Sequence, residues 1–307
     1  MTISPQRGPK AMARVRRHGQ VTPAVAGDVL VSVSVGPADE AIAVWAAPAD
    51  RQALLAHDGA VRPSPARPAA VRVSTHGAGT DAVVAIAALD MAFFHAQPLP
   101  GGRVLMVAAR GGTAVVFDAA GQPVHQGNLG DGIEHVRTTP AGQVWVGYFD
   151  EGVYGNDPVA HHGIVRFSDD LRPAWTYPFD SGFGPVDDCY ALTIDGEAAW
   201  SCYYNSFSIV RLAGDAVTGW HNRHVHGATT LIVDRDVCAL VGGYQTAPGR
   251  TAVGRLADGQ FQPAGERLLS LPDGQPLPPG TRFASRGPDL HLFIDTTWYR
   301  LSLDDLR

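Results

Sequence analysis

Three segments of this chain can be written one above another without a gap. Residues 95–106 read HAQPLPGGRVLM, residues 135–146 read HVRTTPAGQVWV, and residues 190–201 read YALTIDGEAAWS. In each, a strand-like stretch runs to a turn carrying Gly, and a second strand-like stretch follows it. Third strands follow at 114–117, 164–167 and 209–212. Residues 229–241 and 283–294 are weaker copies with shifted turns, and their third strands lie at 252–256 and 297–301. The unit is strand, tight turn, strand, variable loop, strand, turn, strand. It recurs about every 40–50 residues, the spacing of propeller blades.

A single blade cannot bury both its faces, so several must stack around an axis. The region before the first clear copy divides into strands at 29–35, 41–47 and 52–56, a Pro- and Ala-rich connector at 61–70, and strands at 71–75 and 83–89. Second strands counted near positions 31, 105, 145, 199, 239 and 292 give six blades. The count becomes seven if 71–89 forms a blade of its own. A two-sheet sandwich accommodates five in-order repeats poorly. The expected fold is therefore all-β: a single β-propeller of six blades, each of four antiparallel strands, over residues 19–307. No convincing amphipathic helix is visible. The opening MTISPQRGPKAMARVRRHGQ is basic and lacks the apolar stretch of a secretory signal, so 1–18 reads as a flexible basic tail.

Composition narrows the partners. A net charge of −6 over 307 residues argues against nucleic acid or an anionic membrane surface. No apolar run approaches the roughly 18 residues of a transmembrane helix. The three cysteines, Cys189, Cys202 and Cys238, are odd in number, form no CxxC pair and fit buried thiols in a reducing cytoplasm. P-loop, GxSxG, Rossmann and EF-hand patterns are absent, which removes nucleotide-dependent chemistry and serine hydrolysis through the usual elbow.

The period, Gly-rich loops and turn pattern resemble the six-bladed propellers of the NHL and SMP-30/gluconolactonase type over about residues 28–305. The phrases GYFDEGVYGN and DDCYALTI look like those of a bacterial propeller family. The resemblance is one of architecture. A WD40 signature is absent, and the Glu and Asn metal-binding pattern of an SMP-30 lactonase has no residue-by-residue counterpart here.

The repeat sorts polar residues by face. In an up-down blade, the start of the innermost strand and the loop between the second and third strands open on the same side. The strand starts supply His95, Glu134, His135, Asp187, Asp188, Cys189, Tyr190, His224, His226 and Arg282. The loops supply Arg110, Asp150, Glu151, Tyr203, Tyr204, Asn205, Tyr244, Gln245 and Asp295. The opposite face receives short turns such as PAGQ and DGEA. The longest loop, within QVWVGYFDEGVYGNDPVAHHGIVRF at 143–167, is acidic and Gly-rich. It far exceeds the usual hairpin loop of about 2–5 residues and sits where sites tend to be.

These groups predict a polar funnel on one face that takes a small molecule. His135, Asp150, Asp188 and Tyr204 are the candidate catalytic residues. His95, Arg110, Glu134, Glu151, Tyr190, Tyr203, His226, Tyr244 and Arg282 are the candidate ligand contacts. No cofactor is certain. His95, His135 and His226 with a carboxylate could hold a divalent metal, or serve as hydrogen-bonded channel histidines. Close carboxylates would raise one pKa and supply an acid and a base for hydrolase, lyase or isomerase chemistry. Turn capping is the plainer role for Asp187 and Glu151. Cys189 beside His135 could be an activated thiolate, with burial as a small apolar residue the commoner outcome. The alternative function is a non-catalytic propeller that recognises a peptide or protein on the same face through Tyr203, Tyr244 and the 153–158 loop. Fold alone does not choose between the two, but the density of titratable groups near the axis favours a small-molecule enzyme.

Overall fold

Every tight turn in the repeat reverses a strand against its predecessor, so each copy becomes one antiparallel meander. The computed structural model describes residues 11–55, 64–77 and 81–307. Strands β1 (Ala11–Arg14) and β2 (Arg16–Gln20) come first in the chain. Blade 1 is β3 (Val29–Val35), β4 (Ala41–Ala46), β5 (Ala69–His76) and β6 (Ala82–Leu89), with helix α1 (Pro48–Leu55) between β4 and β5. Blade 2 is β7 (Phe94–Leu99), β8 (Arg103–Ala108), β9 (Thr113–Phe117) and β10 (Pro123–Asn128). Blade 3 is β11 (Ile133–Thr138), β12 (Val144–Tyr148), β13 (Ile164–Phe167) and β14 (Pro173–Thr176), with the single helical turn α2 (Asp150–Val153) after β12. Blade 4 is β15 (Asp188–Asp195), β16 (Ala198–Tyr204), β17 (Ile209–Ala213) and β18 (Ala216–Trp220). Blade 5 is β19 (Ala228–Asp234), β20 (Val237–Gly242), β21 (Arg250–Ala257) and β22 (Gln260–Ser270). Blade 6 is β23 (Arg282–Arg286), β24 (Asp289–Ile294) and β25 (Thr297–Ser302), completed by β2 as its outermost strand.

The described residues thus form the six-bladed, four-stranded all-β propeller that the repeat predicts. Residues 71–89 supply the third and fourth strands of blade 1, which settles the count at six. The strand near position 31 is innermost, and the true second strand of that blade is β4. The strand expected at 52–56 is helix instead over its described part: Pro48 suits a first helical position, and Ala, Gln, Arg and Leu are good helix formers. The N-terminal segment also departs from expectation. Residues 1–10 and 61–63 lie outside the described residues, but 11–18 are not tail. β1 adds to β22 in parallel as a fifth strand of blade 5, and β2 pairs antiparallel with β25. Ala13 and Val15 are buried there, so two apolar residues among the arginines decide what net charge could not.

Sheet faces explain why the ring holds. Among the described residues, buried apolar side chains fall into six clusters, each shared by two neighbouring blades. The last joins Val35, Ala43 and Trp45 of blade 1 to Ala284 and Phe293 of blade 6, closing the circle. Second strands such as β4 and β12 are buried along their whole length, being covered on both faces. Trp45, Trp145, Trp200 and Trp298 lie within these interfaces, in keeping with a packing role.

Candidate functional site

Strand order places the starts of the inner strands and the second-to-third loops on one face, and a cavity of about 480 Å³ runs from that face along the axis. His95, Glu134, His135 and Arg282 all line it. A second hollow of about 840 Å³ opens beside it over blades 1 to 3, where Arg110 and Glu151 join His95, Glu134 and Arg282, and Leu55 of α1 borders it.

Two side chains tie the far end of the channel. Arg286, the last residue of β23, donates from Nε to the Gly36 carbonyl (3.0 Å) and from Nη1 to the Thr138 carbonyl (2.8 Å). These acceptors belong to blades 1 and 3, so one guanidinium bridges across the axis from blade 6. Gln97 of blade 2 donates to Ser34 Oγ (3.0 Å) and accepts from the Thr138 amide and hydroxyl (3.3 Å each). Sequence reasoning passed over both, and it passed over Arg137, which lines the cavity above Thr138. A signal was present. Gln97, Arg137 and Leu192 occupy the same place in the aligned repeats, two residues after His95, His135 and Tyr190, and all three line the cavity.

The histidines are wall groups. Burial, opposed by the bond to the Ile133 carbonyl and reinforced by Arg137, pushes the His95 imidazole down to about 4. Burial and then Arg137 push His135 down to about 3. Both are neutral at pH 7. Their Nε2–H groups point to backbone carbonyls, His95 to Ile133 at 3.3 Å and His135 to Tyr190 at 3.2 Å. His226 is elsewhere: its ring stacks on Phe207 with centroids 4.7 Å apart at the exposed rim of blade 5. The metal trio His95, His135 and His226 is therefore not assembled. Among the described residues no group of three or more His, Cys, Asp or Glu side chains is gathered as a metal site.

Asp188, Asp150 and Glu134 lie close enough for their charges to interact, whereas Glu151 and Asp187 are taken up by other partners. Asp188 is raised to about 7 by burial, then by the charges of Asp150 and Glu134. Glu134 is itself raised by burial, with Arg137 opposing. Asp150 accepts the Glu151 amide at 2.7 Å, so it also anchors the α2 turn. Glu151 is paired with Arg110, whose guanidinium lies 5.4 Å from the Phe149 ring centroid. Asp187 is held by Asn205 Nδ2 at 2.6 Å and by the Tyr154 hydroxyl, which belongs to the 153–158 loop of the alternative reading.

Beside Asp188 the rim is aromatic. Tyr190 and Tyr204 stack with centroids 6.1 Å apart, Phe207 meets Tyr204 edge-on at 5.6 Å, and the Tyr190 and Tyr244 hydroxyls are hydrogen-bonded. Tyr204 and Tyr244 remain 43% and 51% exposed. Tyr203 does not belong to this group. Strand alternation turns it inward, where it is fully buried. Its hydroxyl donates to the Phe183 carbonyl (3.1 Å) and bonds the Tyr177 hydroxyl (2.8 Å), which makes it a core residue of the interface between blades 3 and 4 and not a ligand contact. Cys189 is likewise buried, its thiol pushed up to about 12 by burial, so it is no activated nucleophile.

The sequence matches no family model and no curated protein. Among solved structures it is similar to a catalytically inactive virginiamycin B lyase from Staphylococcus aureus with quinupristin, at 9% identity and a TM-score of 0.50, over 94% of this chain and 98% of that one. It is also similar to a gluconolactonase from Xanthomonas campestris, at 15% identity and a TM-score of 0.45, over 96% of this chain and 97% of that one. At these identities the likeness is one of fold.

Proposed function

We propose that the protein binds a small polar molecule in the axial cavity and catalyses a proton-transfer reaction on it, of the hydrolase, lyase or isomerase kind. The observation that carries this reading is the convergence of Glu134, Asp150 and Asp188, from two adjacent blades, beside a cavity tied across its far end. Asp188 is the proton-exchanging group, because a carboxyl titrating near 7 is available both as acid and as base at neutral pH. Burial first, and then the charges of Asp150 and Glu134, hold it there. His95 and His135, neutral throughout the working range, orient the ligand and do not exchange protons. Tyr204, stacked on Tyr190 and half-exposed, supplies an orienting hydroxyl at the rim.

The test is a ¹H NMR panel of small hydroxy, keto and lactone compounds in deuterated buffer at neutral pH. Consumption or deuteration of one compound is expected, with Asp188→Asn slowing it by about 10²-fold, the lower range for general acid–base catalysis. A full rate in Asp188→Asn would overturn the assignment. A second reading, recognition of a peptide or protein without catalysis, is favoured by the exposed rings of Tyr204 and Tyr244. Under that reading Tyr204→Ala and Tyr244→Ala abolish partner binding, and no small molecule is turned over.

A further inference from the structure

We propose that the deep end of the axial cavity is an oxyanion subsite, built on Arg137 and backed by Arg286, and that the ligand enters with a carboxylate or phosphate foremost. The inference rests on the funnel being a ligand site, as proposed above, and adds the ligand's charge.

Arg137 extends from β11 into the cavity. Its Nη1 donates to the Val136 carbonyl at 3.0 Å, while its Nε is buried without a hydrogen-bond partner. Arg286 spends Nε and Nη1 on Gly36 and Thr138, and its Nη2 is also buried without a partner. Neither guanidinium has a carboxylate within ion-pair distance among the described residues. Glu134 acts on Arg137, and Glu40 and Asp39 act on Arg286, only at longer range. Each is held down to about 10, still charged at pH 7, with burial the main cause and, for Arg286, the charge of Arg137 next.

Two partly desolvated cations without a carboxylate partner, one of them opposing the other's charge, are unfavourable by themselves, and unmet buried donors add to that. An oxyanion relieves both, since its oxygens accept from guanidinium N–H groups and its charge offsets theirs. The surrounding wall suits such a group. Ser32, Ser285 and Thr229 line the same cavity, and His95 and His135 add no competing charge. Positive potential at depth and carboxylates at the mouth give the funnel a polarity. An anionic head is drawn inward, which leaves the remainder of the molecule beside Asp188 and the tyrosines.

The experiment titrates the full-length protein with inorganic phosphate and, separately, with succinate at constant ionic strength in chloride. Calorimetry reads affinity, and the imidazole resonances of His95 and His135 report the location. One probe is expected to bind saturably at one site and to shift both imidazoles. The probe that binds more tightly identifies phosphate or carboxylate as the source of the oxyanion. Arg137→Gln is expected to weaken that binding at least 10-fold, with partial recovery in Arg137→Lys. Absence of saturable binding by both probes overturns the proposal in the unaltered protein, whatever the variants do. So does binding that leaves the imidazoles unmoved and survives Arg137→Gln. Failure of the proton-transfer reading looks different: anions bind in the cavity, yet no compound of the panel is altered. Turnover of neutral compounds as fast as anionic ones would refute the subsite and leave the proton-transfer reading standing.

Discussion

Replacing Asp188 by asparagine is expected to stabilise the folded protein progressively as pH rises. The folded carboxyl titrates near about 7 because burial, then Asp150 and Glu134, disfavour its charged form, while its ordinary value is 3.8. The folded state therefore holds this proton more tightly than the unfolded chain does. Its stabilising contribution is complete below about pH 4, is lost as pH rises toward 7, and stays lost above that. The gap between the two values corresponds to about 4 kcal/mol at roughly 1.4 kcal/mol per tenfold change. Asp188 is only half-buried, and solvent screening reduces this to about 1–2 kcal/mol. Asparagine keeps the shape and carries no titrating proton. In urea denaturation at pH 5 and pH 8.5, the advantage of Asp188→Asn over the parent should grow by about 1 kcal/mol between the two conditions. Asp150→Asn in the parent should shrink that growth, because Asp150 is one of the charges that cause it. A difference between variant and parent that is the same at both pH values, or that falls as pH rises, would refute the reasoning.

Four other outcomes follow from particular contacts. Tyr203→Phe leaves the Phe183 carbonyl without its donor and the Tyr177 hydroxyl with Ser181 alone, and should cost about 1–2 kcal/mol in urea, with ligand affinity unchanged. Loss of affinity at full stability would return Tyr203 to the site. Arg286→Met removes two charge-assisted bonds and relieves a buried cation, for a net loss of about 1–4 kcal/mol. An unchanged urea midpoint would show that the tie across the axis contributes nothing. Gly147→Ala places a Cβ 2.5 Å from Cys189 Sγ, which should destabilise by about 1–3 kcal/mol and be relieved by Cys189→Ala. Persistence of the defect in the double variant would locate the strain elsewhere. The three thiols should resist an aromatic disulfide reagent until urea unfolds the chain, since all are buried and pushed up to about 12 or above. Rapid labelling of Cys189 in the folded protein would contradict this.

Blade identity was readable because the repeat carries its own register. Once His95 and His135 share a frame, their place on neighbouring inner strands follows from topology, and so does the face to which Asp150, Asp188 and Tyr204 are delivered. What resisted reading was direction across a strand where packing decides it. Tyr203 and Tyr204 are equally plausible donors in sequence, and what separates them is that β16 is buried along its length up to Tyr203 and exposed only at its last residue, Tyr204. His226 precedes β19, whereas His95 and His135 lie within β7 and β11, and its ring stacks on Phe207 at the rim. Arg137 and Arg286 were missed for another reason. A basic residue inside a strand reads as solvated unless the axial direction is known, and that direction comes only from closing the ring. The 11–20 segment failed similarly, because its partners β22 and β25 lie about 256 to 284 residues away in sequence (Ala11 to Arg267, Arg16 to Arg300).

That segment has a consequence for how the molecule is made. Residues 16–20 occupy a place in blade 6 that no later part of the chain fills, and residues 11–14 edge blade 5. Strands β1 and β2 must therefore wait, unpartnered, until β22 and β25 are available. Closing the span between Arg16 and Arg300 has an entropic cost on the order of 5 kcal/mol, to be met by the contacts of two blades at once. The ring behaves as a clasp whose two halves are residues 11–20 and the strands β22 and β25. A version that begins at residue 21 and carries residues 11–20 after Arg307 would make the same pairings locally, and would fold by a shorter route to the same six blades.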